Sequence, residues 1–224
     1  KKIFAFVAAT VLFAGLASAQ LGIHVGYAPQ TYKTTFSYSG FEGHDTTSMT
    51  GFFVGVDYNY NISGDLGVCI GIQGRYNTHS EETTVLSVTT KSASNQMILD
   101  VPILFNYGLN LTDDIRLTVF AGPTFNYALN GKTTITVGSN ETESDWYDDN
   151  SDLNRFDVAG TLGVNLTFNG IRLFGGYNMG LMNLSSDDNT TMKGSNWFIG
   201  LDTTSDKKIV QIDAGARAQA RAPV

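Results

Sequence analysis

The sequence predicts an all-β protein, an eight-stranded antiparallel up-and-down transmembrane β-barrel. Three observations support this fold class. Apolar and polar residues alternate along roughly eight segments, and short and long connections alternate between them. Charged residues make up only 16% of the chain, below the roughly 25% of soluble proteins. After residue 20, no apolar run approaches the ~20 residues that a membrane-spanning helix needs, whereas a closed barrel can also satisfy its backbone within a bilayer.

The first residues have the layout of a secretory signal peptide. Lys1 and Lys2 give a positive start, an apolar stretch follows over residues 3–16, and residues 17–19 are the small residues Ala-Ser-Ala. This order of charge, apolar run and small-residue site predicts a cleaved signal peptide over residues 1–19. We therefore expect the barrel to occupy residues 20–201 and to lie in the bacterial outer membrane.

The alternation of side chains defines the predicted strands. It is clearest over residues 51–61, where Phe52, Val54 and Val56 lie on one face and glycine or polar residues on the other, with Phe53 as an exception. A tilted strand crosses a bilayer in about 9–11 residues, close to the length of most of these segments. The predicted strands are residues 21–28, 51–61, 66–76, 99–109, 115–127, 156–168, 171–181 and 197–202.

The connections predict two different rims. Three connections are tight, at residues 62–65, at residues 111–114 and at Asn169-Gly170, and Asn-Gly between alternating runs is a strong hairpin signal. The other four are long and polar, at residues 39–50, 78–96, 130–154 and 183–195. Outer-membrane barrels have short periplasmic turns and longer extracellular loops, so we expect the long connections to be extracellular loops.

The two faces of the strands have different predicted environments. The apolar set should face lipid, with aromatic residues near strand ends as girdles. The polar set should line a lumen that about eight strands leave just wide enough for side chains. Because an isolated buried charge is costly, we expect the charged lumen residues to pair. The predicted lumen network is Asp57, Arg75, Asp100, Arg116, Asp157 and Arg172.

Several short motifs resemble one family. Residues 99–107, LDVPILFNY, and residues 121–125, AGPTF, resemble consecutive strands of the PorT-like outer-membrane β-barrel family of Bacteroidetes. Residues 156–160 and 177–183 resemble two later strands of that family. The resemblance spans roughly residues 20–201 and implies a small barrel similar to the OmpA and OmpX types. The resemblance implies a location in the outer membrane but says little about activity.

The end of the chain departs from this family. Such barrels usually end on an aromatic residue that the barrel-assembly machinery reads, whereas this chain continues past residue 201. We expect residues 202–224 to form a polar, Ala- and Arg-rich disordered tail. Whether the last strand closes the barrel stays open at this level.

An acidic segment is the most distinctive local feature. It surrounds Trp146 and Tyr147, and we interpret it as a solvated extracellular loop. A cation site or a surface for a basic partner is the alternative, although the ordered EF-hand pattern is missing. Its acidic residues are Glu141, Glu143, Asp145, Asp148, Asp149 and Asp152.

The sequence carries no catalytic pattern. His24, His44 and His79 show no metal-ligand spacing, no G-x-S-x-G elbow occurs, and Cys69 is interpreted as a small packed side chain. We therefore expect no enzymatic activity, no cofactor and no metal. The net charge of -7 and the lack of a basic cluster argue against nucleic acid as a partner.

These features favour a structural or adhesive role at the cell surface. The expected partners are outer-membrane lipid, the barrel-assembly machinery and an unknown extracellular ligand or protein. One alternative is a narrow channel or transport-accessory, porin-like protein. The other is a soluble lipocalin-like barrel, in which the apolar set would face inward around a small ligand.

Overall fold

The computed structural model describes residues 20–204 except residues 39–40, 86–87, 113, 149–150 and 169. The predicted signal peptide and residues 205–224 of the predicted tail lie outside the described residues. None of the described residues forms a helix long and apolar enough to cross a membrane. The described residues form ten strands: β1 (Gln20–Tyr27), β2 (Gln30–Tyr38), β3 (Phe41–Ser63), β4 (Leu66–Val85), β5 (Val88–Asn110), β6 (Ile115–Val137), β7 (Asn140–Asp145), β8 (Phe156–Phe168), β9 (Ile171–Gly180) and β10 (Thr190–Thr204).

The strands form one closed antiparallel ring. β1 and β2 together make one barrel strand, interrupted at residues 28–29, because both pair with β3 on one side and with β10 on the other. The ring then runs through β4, β5, β6, β8 and β9 back to β10, while β7 pairs only with the outer part of β6. The prediction of an eight-stranded barrel is confirmed, and the last strand does close it.

The faces of the barrel are as the alternation predicts. Ile23 and Leu162 are 61% and 66% exposed on the outside, whereas Asp57 is only 7% exposed inside. Phe53, the exception to the alternation, is buried in the lumen. A soluble lipocalin-like barrel needs the opposite arrangement, so that alternative is wrong. Predicted girdle residues that are exposed on the outside are Tyr60, Tyr76, Tyr107, Tyr127, Phe156, Phe168 and Tyr177.

The tight connections share one rim, which we call the inner rim. Gly64 (φ 55°) and Gly170 (φ 81°) take left-handed backbone conformations there, as their turns require. The described chain also begins and ends at this rim. β10 continues to Thr204, so the first three residues of the predicted tail belong to a strand.

The four long connections contain strands and not only loops. At the opposite, outer rim, β3, β4, β5 and β6 run far past the apolar belt, β2 and the start of β10 accompany them, and β7 adds a further strand. The prediction of polar loops was wrong for most of residues 39–50, 78–96 and 130–154, and for residues 190–195 of the connection 183–195. Both faces of these strand ends meet water, so their sequence lacks an apolar period and reads as loop.

The outer strand ends form two separate sheets. The ladder between β3 and β4 ends at the pair Thr50–Thr78. Beyond it, β10, β2 and β3 continue as one sheet, which we call the three-stranded lobe. β4, β5, β6 and β7 continue as another, the four-stranded lobe. β8 and β9 stop near the belt, at Phe156 and Gly180.

Candidate functional site in the lumen and the outer lobes

A layer of phenylalanine rings fills the middle of the lumen. The ring centroids of Phe53 and Phe174 are 6.0 Å apart, those of Phe174 and Phe198 are 6.1 Å apart, and those of Phe120 and Phe198 are 6.3 Å apart. The rings occupy space that glycines leave open on neighbouring strands, because a Cβ there would collide with a ring. These glycines are Gly26, Gly163, Gly176 and Gly200.

Below this layer, towards the inner rim, lies a cluster of four charged or ionisable groups. Arg172 Nη1 lies 2.9 Å from Asp202 Oδ2 and 3.9 Å from Asp57 Oδ1. His24 Nδ1 lies 3.1 Å from Asp57 Oδ2. Asn59 Nδ2 donates to Asp57 Oδ1 over 2.7 Å. Both carboxylates are nearly inaccessible to solvent. The ion pair with Arg172 is what offsets the buried charge of Asp202, because its oxygens have no hydrogen-bond partner among the described residues.

A second cluster lies above the layer, towards the outer rim. Arg75 binds Asp100 with two nitrogens, Nε to Oδ2 at 3.0 Å and Nη2 to Oδ1 at 3.2 Å, and both side chains are buried. Arg75 Nη1 also donates to Gln30. A two-point contact of this kind fixes orientation as well as charge. The Tyr32 hydroxyl donates to Gln96 Oε1, which continues the polar network outward.

Gln73 connects the two clusters past the aromatic layer. Its Nε2 donates to Asp100 Oδ2 over 3.0 Å, so its Oε1 is the atom that faces His24 Nε2, at 3.2 Å. On the other side of the ring, His24 Nδ1 faces the Asp57 carboxylate. Gln73 therefore links the Arg75–Asp100 pair to the cluster around Arg172.

The structure brings four residues of the predicted lumen network together in the two clusters, namely Asp57, Arg75, Asp100 and Arg172. Asp157 is buried and has no ion pair with any of the described residues. Its carboxylate accepts the backbone N–H of Met182 over 3.2 Å.

Arg116 does not belong to the lumen network. It lies at the inner rim, where Nη2 contacts Asp65 Oδ1 at 3.1 Å in a half-exposed pair. Because Arg116 is the second residue of β6 and lies close to the rim, its long side chain reaches water. Asp202 takes its place in the clusters. Sequence reasoning missed Asp202 as a site because it also counted residue 202 as the start of the tail, although the alternation over residues 197–202 places Asp202 on the inward face.

Small cavities lie in the lumen, one towards each rim. The inner-rim cavity has about 70 Å³ and is lined by His24, Asp57, Cys69 and Arg172, among others. The outer-rim cavity has about 30 Å³. One water needs about 10–15 Å³ on this measure, so each holds a few waters at most. Cys69 is a free cysteine and is half-buried in this wall.

Tyr147 and Arg155 close the outer cavity. Gln96 Nε2 donates to the Tyr147 hydroxyl over 2.8 Å, and the Arg155 guanidinium lies 4.8 Å above the Tyr147 ring. Arg155 also donates to the carbonyls of Leu129 and Tyr147, at 3.0 and 2.8 Å. Burial raises the pKa of Tyr147, against the opposing effects of the Gln96 bond and the Arg155 charge. The phenol therefore stays neutral.

The acidic segment is partly a strand. Glu141, Glu143 and Asp145 lie on β7, paired with β6, so the loop prediction was wrong for them. Their side chains are exposed, and Glu143 Oε2 accepts a bond from Lys132 Nζ at 3.2 Å. Trp146 projects to the opposite face, where Nε1 donates to Thr133. Asp148 and Asp152 follow in exposed turns, and Asp149 lies outside the described residues.

The histidines outside the lumen lie on exposed strands and not on the loops that we predicted. His44 Nε2 is 3.7 Å from Glu42 and His79 Nε2 is 4.0 Å from Glu81. No group of three or more metal-ligating side chains occurs in the part of the chain that the structure describes.

A protein-family model matches most of this chain. The model of a family described as "Outer membrane protein beta-barrel domain" matches residues 14–186. No curated protein sequence matches the chain.

Several solved structures have similar folds. The attachment invasion locus protein Ail of Yersinia pestis, in complex with the heparin analogue sucrose octasulfate, is 16% identical, with 83% of this chain and 98% of that one covered and a TM-score of 0.37. Neisserial surface protein A is 9% identical, with coverages of 83% and 98% and a TM-score of 0.38. The outer membrane protease OmpT of Escherichia coli is 9% identical, with coverages of 83% and 96% and a TM-score of 0.36. At these identities and TM-scores, the likenesses say nothing about what this chain binds.

Proposed function

Since the chain belongs to the outer membrane protein beta-barrel domain family, we propose that it is a surface-interaction protein of the outer membrane. Its two outer lobes contact ligands, partner proteins or surfaces outside the cell. β8 and β9 cross the belt with 13 and 10 residues, whereas β3, β5 and β6 each have 23. The excess of about ten residues extends the sheet by roughly 30 Å along the strand. This extension is the observation that supports the proposal.

The lobes offer a partner an ordered surface, which distinguishes them from mobile loops. Their backbones are hydrogen-bonded ladders, so little conformational entropy is lost when a partner binds. They also concentrate negative charge, with few basic residues among them. Exposed aromatic side chains lie at the end of the three-stranded lobe, where Tyr38 is 76% and Phe41 70% exposed. Exposed apolar groups of this kind, rimmed by polar residues, are typical of contact surfaces.

The proposal includes a non-catalytic role. In the lumen, His24 is held between Asp57 and Gln73. The pairs Arg75–Asp100 and Arg172–Asp202 suit a stabilising network, since each arginine has a fixed carboxylate partner.

The finer assignment to the PorT-like group of Bacteroidetes is also part of the proposal. It is supported by the two quoted motifs, which fall on the adjacent strands β5 and β6, where Val101 pairs with Phe125 and Phe105 with Ala121. We further propose that residues 1–19 are removed on export and that the barrel-assembly machinery inserts the chain. Mass spectrometry of the mature N-terminus and depletion of that machinery test these two steps.

The experiment that tests the surface role removes the lobes and keeps the barrel. Each deletion spans two paired residues, so that the register below is unchanged: residues 33–46, 80–93 and 134–143, each replaced by Asn-Gly. Cells displaying the full or the trimmed protein are then tested for adherence to immobilised matrix proteins, mucin and plastic. We expect adherence to need the lobes.

The control is folding. The trimmed barrel should still show the gel-mobility shift between unboiled and boiled samples that marks a closed barrel. Equal adherence by a folded trimmed barrel, or no adherence by either protein on any surface, would contradict the surface role.

A further inference from the structure

The gap between the two lobes is bounded by two unpaired strand edges. β3 and β4 are neighbours in the barrel, yet their ladder ends at Thr50–Thr78. Past that point β3 keeps β2 as its partner and β4 keeps β5. Within the described residues, neither strand has a ladder partner on the side that faces the gap. An open edge presents a row of free N–H and C=O groups to an incoming strand.

The direction of these groups follows from one hydrogen bond. Ala28 N donates to the carbonyl of Gly51, so Gly51 points its backbone groups towards the β1–β2 side of β3. Antiparallel ladders alternate in direction at each residue. The even-numbered residues Glu42, His44, Thr46 and Ser48 therefore point their backbone groups into the gap. On β4, the last pair at Thr78 sets the same alternation, so that Ser80, Glu82 and Thr84 do so from the other side.

The acidic residues near the gap lie on the two strands that border it, and lysines lie one strand behind, where Lys33 pairs with Thr46 on β3 and Lys91 pairs with Glu82 on β4. The outer ends of β3 and β4 carry Glu42, Asp45, Glu81 and Glu82, and neither carries a lysine or an arginine. The two histidines on these strand ends each lie beside a glutamate of their own strand. A second copy of this chain would bring the same negative edges and be repelled. A basic segment would be attracted to the same edges.

We propose that this gap binds an extended, lysine- or arginine-rich segment of another protein by strand addition. The inference rests on the proposed surface role and names the class of partner. Backbone hydrogen bonds to the β3 and β4 edges supply the affinity, and the four carboxylates supply selectivity, as in other cases of strand addition. Phe41 and Tyr38, at the end of the three-stranded lobe, offer an apolar contact beside the gap.

The test measures peptide binding to the full barrel in lipid nanodiscs by fluorescence anisotropy. The probe is a labelled peptide of alternating lysine and threonine. Two control peptides have glutamate for lysine, or N-methyl groups on alternate backbone nitrogens, which remove the donors but keep the charge. We expect the first peptide to bind, and each control peptide to bind at least about tenfold more weakly.

The protein variants separate backbone pairing from charge. Thr46→Pro and Ser80→Pro remove donors that face the gap and leave the ladders with β2 and β5 intact, so each should weaken binding while Thr46→Ala and Ser80→Ala do not. Replacing Glu42, Asp45, Glu81 and Glu82 by their amides should weaken binding and flatten its salt dependence. The matched control neutralises Glu141, Glu143 and Asp145 on β7 and should bind as the unchanged protein does.

Four results would overturn the inference. They are equal binding of the N-methylated or the glutamate peptide, no effect of either proline in a barrel that still shows its gel shift, no binding of the lysine peptide at all, and a concentration-dependent dimer that Thr46→Pro abolishes. The last would make a second copy the occupant. Because the adherence experiment does not depend on this peptide, lobe-dependent adherence without peptide binding would refute the inference alone.

Discussion

The buried pair Arg75–Asp100 gives the sharpest test of how the lumen stabilises the barrel. Asp100→Asn removes the charge that Arg75 contacts at 3.0 and 3.2 Å and leaves the guanidinium buried, at 3% side-chain exposure. Removing one partner of a buried pair costs about 3–5 kcal/mol. Because the introduced amide would keep one oxygen for Gln73, we expect a loss near the lower end, about 3 kcal/mol, in the free energy of unfolding.

The measurement is urea-induced unfolding of the barrel in lipid vesicles, followed by tryptophan fluorescence. The double variant Arg75→Met, Asp100→Leu removes both charges, and replacing a buried pair by apolar residues is often neutral or stabilising. It should therefore lie within about 1 kcal/mol of the unchanged protein or above it. The control is Arg116→Met, which breaks the half-exposed pair with Asp65 and should cost at most about 1 kcal/mol. A loss below about 1 kcal/mol for Asp100→Asn would refute this account of the lumen. So would a double variant whose loss of stability equals the sum of the losses for Arg75→Met and Asp100→Leu measured separately.

Three further predictions concern conductance, the packing of rings over glycines and the cover that Tyr147 forms over Arg155. In planar bilayers the protein should show no discrete conductance, and regular openings would instead favour the narrow-channel alternative. Gly163→Ala would drive a Cβ into the Phe120 ring and a backbone carbonyl and should cost about 1–3 kcal/mol, whereas Gly160→Ala, in open space, should cost less than about 1 kcal/mol; similar losses at both would contradict the ring-over-glycine packing. Tyr147→Ala should uncover Arg155 and speed tryptic cleavage after it at least about tenfold, because local opening controls proteolysis, and an unchanged rate would mean that Tyr147 does not cover it.

The membrane part of the fold was predictable because lipid imposes a strict period on it. Along β8, every second residue meets hydrocarbon and every other one meets the lumen, so burial alternates from Phe156 to Phe168 and the residue types follow it except at Ala159 and Gly160. The tight turns were equally predictable, since Gly170 has a positive φ that few other residues adopt. The outer lobes were not predictable in this way. Threonine, serine and glutamate occur on both hydrated faces of these strands, so the sequence shows no alternation between an apolar and a polar face.

The contents of the lumen could be predicted by residue type but not by partner. Charged residues facing inward had to pair, and Arg75 and Asp100 do, but only the register between strands decides which charges meet. Asp202 reaches Arg172 because β10 and β9 pair at those two residues. The same holds for the ring layer, because Phe53 can turn inward only where a neighbouring strand offers a glycine such as Gly26. No local pattern in the sequence records that match.

The ring layer has a consequence for the cell that carries the protein. A barrel with an open lumen adds a leak to the outer membrane for every copy that is inserted. Here the phenylalanine rings and the two paired clusters occupy the cross-section, and the cavities hold only a few waters each. If planar bilayers show no conductance, the number of copies is decoupled from the permeability of the membrane, and a cell can carry many copies of these lobes while its barrier to solutes stays intact.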